Sequence, residues 1–236
     1  MTIVIFGATS GIGKSLAERY VKDGHHVYIT GRRLENLNTI KKTNPDLYSI
    51  KQHDVTDFDA TAVFFEELAK HEQPIDIIIY NAGIGAPNYN LDWDNEFSII
   101  NTNTMGAVRV FGLAYQLFKK QGFGHIVGVS SIAGIRGNRH VPAYFASKAF
   151  LNNYLESLWL KGKRSKANIV VTDIIPGFVD TDLALGNTFW MASLDKASDQ
   201  IYKAIQKKKK RAIITKRWRI IAFVLRRLPA GLLLKM

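Results

Sequence analysis

Six short apolar runs limit most of what this chain can become. Residues 2–6, 26–30, 48–53, 75–80, 125–130 and 168–175 are rich in Ile and Val. They are too continuously apolar for a sheet with one wet face. Amphipathic segments separate them. Residues 11–22 carry Ile12, Leu16 and Tyr20 at helical spacing, and residues 58–71 carry Val63, Phe64 and Leu68. Strands buried on both faces and joined by helices imply parallel pairing through right-handed crossovers, an α/β doubly wound sheet with helices on both faces. A seventh short strand is expected at 212–215. No linker interrupts the pattern, so residues 1–215 read as one domain and residues 216–236 as a basic amphipathic tail.

Charge divides the chain at nearly the same place. Eleven Lys and Arg and no acid lie between Lys207 and Met236; taking them from the net charge of +12 leaves +1 on residues 1–206. The absence of cysteine excludes disulfides and a thiol nucleophile and permits a reducing compartment. With the first strand opening at Thr2, no secretory leader is expected. No run reaches the ~20 apolar residues of a membrane span. The expected location is the cytoplasm, with the tail suggesting a peripheral place on the inner membrane surface.

The segment "TIVIFGATSGIGKSLAERY" admits two phosphate-binding readings. Ala8-TSGI-Gly13-Lys14-Ser15 is one glycine short of a nucleoside-triphosphate loop. That reading also needs a second strand ending in a magnesium-positioning Asp. Residues 75–80 run instead into Asn81-Ala82-Gly83, and Asp54 sits in a flank, His53-Asp54-Val55, that is not the apolar run required. The dinucleotide reading works physically. Gly7 allows a tight exit from the strand, and Gly11 and Gly13 let backbone amides approach a pyrophosphate at a helix N-terminus. Thr9, Ser10 and Ile12 complete that turn.

Gly7-Ala-Thr-Ser-Gly11-Ile-Gly13, Asn81-Ala-Gly83, Ser131 and Tyr144-Phe-Ala-Ser-Lys148, in this order, resemble the classical short-chain dehydrogenases/reductases. The likeness covers roughly residues 2–182. Phe6 stands where that family usually has Thr, and Tyr80 replaces the first Asn of N-N-A-G. The resemblance implies a Rossmann-type sheet of about seven strands in the order 3-2-1-4-5-6-7. It also implies hydride transfer between a nicotinamide and a carbonyl or secondary alcohol. Tyr144 and Lys148, four residues apart, would share one helix face. A nearby ammonium favours the phenolate of a tyrosine whose ordinary pKa is near ~10. Ser131, thirteen residues before Tyr144, would hydrogen-bond the substrate carbonyl, and Asn103 in "INTNTMG" would hold a water that links the lysine to solvent. The resemblance further places Asp54 on the adenine amino group, Val55 against the ring, and Asn81, Ala82 and Gly83 along the adenosine ribose. Pro176, Gly177, Val179 and Thr181 would hold the nicotinamide carboxamide. No metal is expected.

The cofactor should be NADP. Gly31 stands where an acid would bond the ribose 2′-hydroxyl of NAD, and Arg32 and Arg33 follow it. An acid would repel a 2′-phosphate, and an arginine would pair with it. Arg32 is expected as the main phosphate partner, with Arg33 as helper.

The segment after Thr181 carries Leu183, Leu185, Phe189, Trp190 and Met191. It suits a hydrophobic substrate or, equally, a core or dimer cover; His140 could line the same pocket. In the tail, Trp218, Ile221, Ala222, Leu225 and Leu228 form one helical face, with Lys216, Arg219, Arg226 and Arg227 largely opposite. This pattern suits an anionic membrane surface. A homodimer or homotetramer contact competes with it, and nucleic acid is not expected. The functional expectation is an NADP-dependent oxidoreductase. Its alternative is a non-enzymatic NADP-binding scaffold that docks through the basic tail.

Overall fold

The computed structural model describes residues 1–183, 190–227, 229 and 231, with backbone only at Lys216. Among these residues the strands are β1 (Thr2–Phe6), β2 (His26–Gly31), β3 (Tyr48–Gln52), β4 (Ile77–Tyr80), β5 (Phe123–Val129), β6 (Asn168–Pro176) and β7 (Arg211–Ile214). The helices are α1 (Gly11–Lys22), α2 (Leu34–Thr43), α3 (Phe58–Ala69), α4 (Trp93–Ile100), α5 (Ala107–Gln121), α6 (Pro142–Lys163), α7 (Leu194–Gln206) and α8 (Lys216–Arg227). The strands form one sheet in the order β3-β2-β1-β4-β5-β6-β7. Every neighbouring pair is parallel. Strand order reverses between β1 and β4, so a crevice opens at their carboxyl ends.

Both faces of the sheet are dry, as the uninterrupted apolar strands require. Along β1, Ile3 and Ile5 join a core with Leu16 and Tyr20 of α1, Leu37 of α2 and Ile201 of α7. Val4 and Phe6 point the other way, to Phe64 of α3, Phe111 and Phe118 of α5 and Leu155 of α6.

The turn from β1 into α1 depends on close backbone approach. A Cβ on Gly13 would overlap the Gly7 carbonyl oxygen and lie 2.6 Å from Asn81 Nδ2. That Asn81 nitrogen donates to the same carbonyl at 2.7 Å. Gly13→Ala is therefore expected to cost about 1–3 kcal/mol through overpacking. The midpoint of denaturant unfolding, with an unchanged slope, checks this.

The structure corrects the expectation for the tail. Trp218 and Ala222 of α8 are buried against Ile132, with Ile221, Leu225, Ile135 and Ile213 packed around them. A Cβ on Gly177 would run into the Trp218 indole, whose ring meets Phe178 edge-on at 5.3 Å. Arg136 donates from Nε to the Leu225 carbonyl at 2.7 Å and from Nη2 to the Arg226 carbonyl at 3.0 Å. It thereby satisfies carbonyls that a helix end leaves open. The face expected to meet lipid is occupied by the protein's own body, where it buries its apolar side chains against Ile132, Ile135 and Ile213. Leu228 and residues 232–236 lie outside the described residues. No described helix is long and apolar enough to cross a membrane.

Candidate active site

Helix α6 starts at Pro142, whose missing N–H costs nothing in a first turn. It carries Tyr144 and Lys148 on one face, with Lys148 Nζ 5.7 Å from the centre of the Tyr144 ring. The lysine is buried and donates to the Val129 carbonyl at the end of β5 at 3.1 Å. Ser131 lies two residues beyond the end of β5. Its Oγ accepts from the Ala133 amide at 3.1 Å and caps a short turn, Ile132–Ile135.

Asn103 lies in a π-helical turn, Asn101–Gly106, that joins α4 to α5. Such turns widen a helix and re-aim side chains. Here the amide reaches the Asn81-Ala82-Gly83 loop. Its Oδ1 accepts from Ile84 N, and its Nδ2 donates to Ile84 O, both at 2.8 Å. Nδ2 also donates to Ser147 Oγ at 3.0 Å, and Ser147 donates in turn to the Tyr144 carbonyl at 2.7 Å. A Cβ on Gly83 would sit 3.3 Å from both Asn103 Oδ1 and Lys148 Nζ. Ser131, Tyr144, Lys148 and Asn103 are thus brought to one place.

The electrostatics differ from the simple ammonium–phenol picture. Burial holds the Tyr144 hydroxyl above its ordinary pKa, and a hydrogen bond from Ser131 pulls the other way. Burial lowers Lys148 from 10.5 to about 8, opposed by the Asp173 carboxylate. Asp173 itself is pushed up to about 6 by burial, against the Ser130 hydroxyl, Arg211 and Lys148. Ser130 Oγ donates to Asp173 Oδ1 at 2.5 Å, and Arg211 Nε donates to Oδ2 at 3.3 Å.

Lys148 makes stability depend on pH with a definite sign. Its folded-state pKa lies below the unfolded value, so the unfolded chain binds more protons between about pH 8 and 10.5. Stability then rises with pH across that window. About two and a half pH units correspond to roughly 3 kcal/mol as an upper bound. Native protein should gain stability relative to Lys148→Met between pH 8 and 10.5, read by denaturant titration at several pH values. Parallel curves would remove the assignment.

The residues expected around a dinucleotide lie along one crevice. Gly7 (φ +83°) and Gly11 (φ +54°) adopt the left-handed conformation that favours glycine. Gly7 passes so close to Ala82 that a Cβ would stand 2.6 Å from its Cα. Gly11 stands beside Thr181, with 3.3 Å between an added Cβ and Thr181 Cγ2. Thr181 Oγ1 donates to the Val179 carbonyl at 3.3 Å. The N-cap Ser10 gives α1 no side-chain cap. Its hydroxyl instead accepts from Arg33 Nη2 at 2.8 Å, and Thr9 Oγ1 accepts from the same nitrogen at 2.6 Å.

Arg33, not Arg32, therefore lies against the glycine loop. The Arg32 carbonyl accepts from Gln52 Nε2 at 3.0 Å, and its charge acts on Asp54. Burial raises the Asp54 carboxyl, but the Thr56 amide and hydroxyl and then Arg32 outweigh it and hold the group below the usual range. Val55 is buried beside Gly106. A glycine turn of close backbone approach, a cationic guanidinium on its hydroxyls and a buried ammonium facing Gly83 suit an anionic dinucleotide. Pro176 is buried at the end of β6, and Gly177 follows under Trp218.

Sequence reasoning missed three contributors. Gly85 underlies the Tyr144 ring, where a Cβ would lie 2.6 Å from Cδ2. Ser147 links Asn103 to the Tyr144 backbone. Asp173 had a visible signal, a single acid within the apolar run "NIVVTDIIP". In the segment after β6, Phe178, Leu183, Trp190 and Met191 are each about 40% exposed, and Trp190 and Met191 line a cleft beside β7; Leu185 and Phe189 lie outside the described residues. The His140 ring packs on Tyr89 at 5.1 Å, and its carbonyl accepts from Asn88 N at 2.7 Å.

Comparison with known proteins agrees with this geometry. The family model described as short chain dehydrogenase matches residues 1–191. An uncharacterized oxidoreductase of Myxococcus xanthus is 34% identical over 205 residues, covering 85% of this chain and 80% of the relative. The serine 3-dehydrogenase of Agrobacterium fabrum is 34% identical over 216 residues, covering 86% and 81%. Among solved structures, the closed form of a serine dehydrogenase complexed with NADP+ superposes with a TM-score of 0.80. It is 26% identical and covers 91% of this chain and 94% of its own.

Proposed function

This chain belongs to the short-chain dehydrogenase family, and we propose that within it the protein is an NADP-dependent oxidoreductase. It interconverts a carbonyl compound and its secondary alcohol. The observation that carries the reading is the meeting of a phenol, a buried ammonium and a serine hydroxyl at the carboxyl end of β5. When bound, the nicotinamide cofactor supplies or accepts the hydride.

The other roles fall to the chain's own groups. Ser131 orients the carbonyl oxygen, Tyr144 passes a proton to it, and Lys148 stabilises the phenolate that remains. Asn103 keeps Ile84, Ser147 and the Tyr144 turn in register. In cofactor binding, Gly7, Gly11 and Gly13 with Thr9, Ser10 and Ile12 hold the pyrophosphate, and Arg33 pairs with the 2′-phosphate. Asp54 and Val55 hold the adenine, Asn81, Ala82 and Gly83 the ribose, and Pro176, Gly177, Val179 and Thr181 the carboxamide. NADP+ in the serine dehydrogenase complex supports the cofactor choice. A scaffold without chemistry gains nothing from the comparisons.

Phe178, Leu183, Trp190 and Met191 favour a hydrophobic carbonyl compound, one met at a membrane surface. Exposed Phe97, Met105, Phe150 and Leu160 on the α4–α6 side suit a homodimer or homotetramer contact, which sedimentation would test. For the chemistry, a panel of apolar ketones is offered with NADPH and with NADH. The expected result is NADPH oxidation with alcohol formed in equal amount. Tight NADPH binding with no ketone reduced would speak against it.

A further inference from the structure

We infer that the solvent face of α8 is a docking surface for an anionic lipid bilayer, built from residues other than those the helical pattern of the sequence selects. With Trp218, Ile221, Ala222 and Leu225 turned inward, the outer face still carries apolar side chains. Ile220 is 69% exposed, Phe223 58% and Val224 49%. On the helical wheel these three occupy the centre of the outer face. Arg217 flanks them on one side, Arg219 and Arg226 on the other, and Arg227 lies along the middle. The Arg227 guanidinium lies 3.8 Å over the Phe223 ring.

An apolar strip bordered by arginines is the pattern of a helix lying in a membrane interface. The strip is already formed and held. Arg136 fixes its carboxyl end, and Trp218 fixes its amino end over Gly177. Docking then orders little new structure. The basic surface continues from Arg217 and Arg219 into a cleft of about 820 Å³ along β7, whose walls include Lys196, Lys203, Lys207 and Lys209. The acid there, Asp199, is paired with Lys203 and Arg19.

Charge decides among possible occupants. A second copy meeting this face symmetrically would set arginine against arginine, since no acid occurs from Lys207 onward. A nucleic acid backbone would match the arginines and leave three apolar side chains against phosphates. An anionic bilayer matches both parts. Trp218, on the inner face, packs on Gly177 and Phe178, so the same helix that would dock also touches the loop proposed to hold the nicotinamide carboxamide.

The inference rests on the reading above only in where the substrate is met, and its test is separate from turnover. The full chain is floated with vesicles of phosphatidylcholine alone and with phosphatidylglycerol added. Native protein should float with the anionic vesicles only, and less as salt rises. Arg219→Glu/Arg227→Glu should lower partitioning by roughly 30-fold or more. Ile220→Ser/Phe223→Ser should lower it by about 10-fold or more. All variants should keep native NADPH binding and native reduction of a water-soluble ketone. Equal flotation of native and variant proteins would overturn the proposal, as would flotation indifferent to lipid charge. Variants that lose dimers or nucleic acid binding instead of flotation would assign the face to those partners. Flotation without ketone reduction would sink the oxidoreductase reading and leave this one standing.

Discussion

Tyr144→Phe should reduce ketone turnover by about 10²- to 10⁴-fold or more while leaving NADPH affinity nearly unchanged. The substitution removes one oxygen and keeps the ring. The ring is what fills the space against Gly85, and Phe preserves that contact. Lys148 keeps its Val129 carbonyl partner, and the Ser147–Asn103 link involves the Tyr144 backbone, not its hydroxyl. The variant should therefore fold as the native protein does. What is lost is the proton donor that Ser131 hydrogen-bonds. Initial rates with a responsive ketone, together with a fluorescence titration of NADPH, separate the two effects. Loss of both together would mean that the hydroxyl matters for structure, and equal rates would remove it from the chemistry.

Arg33→Glu should weaken NADPH binding by roughly 10- to 100-fold and leave NADH binding much less affected. One charge-assisted hydrogen bond contributes about 1.5–3 kcal/mol, and each ~1.4 kcal/mol is tenfold in affinity. The glutamate would also repel a 2′-phosphate from the loop that Arg33 now contacts through Thr9 and Ser10. Arg32→Glu should have the smaller effect, because Arg32 borders Asp54. Paired titrations of the two variants with both nucleotides decide the order. A larger loss from Arg32→Glu would restore the ranking that sequence alone suggested.

The placing of these two arginine side chains is something the sequence leaves open. Adjacent arginines after a strand look equivalent until the backbone fixes them. Arg33 is the N-cap of α2, with φ −86° and ψ 90°, and that local conformation aims its guanidinium back at the glycine loop. The sheet was legible because its strands are dry on both faces, so the apolar runs themselves reported parallel pairing. Tyr144, Lys148 and Ser131 were singled out through the resemblance of four motifs in order, and helical spacing and the strand end only made their placing physically reasonable. The widened turn under Asn103 leaves no mark in the letters, although the residue itself was identified.

Burial was the least legible property. Nothing in Tyr144-Phe-Ala-Ser-Lys148 states that desolvation raises the phenol and lowers the ammonium. The same gap explains α8. Its sequence is apolar on two sides, Trp218 and Leu225 on one and Ile220 and Phe223 on the other. Only the neighbouring Ile132, Ile135 and Gly177 select which side turns inward.

The central claim is that this crevice moves a hydride and a proton onto one carbonyl group. Its most direct measurement uses NADPH deuterated at the transferable position and an apolar ketone, with the product analysed by mass spectrometry. The account predicts one deuterium on the carbinol carbon with native protein and only traces of labelled alcohol with Tyr144→Phe. Alcohol formed without the label, or labelled at the native rate by Tyr144→Phe, would contradict it.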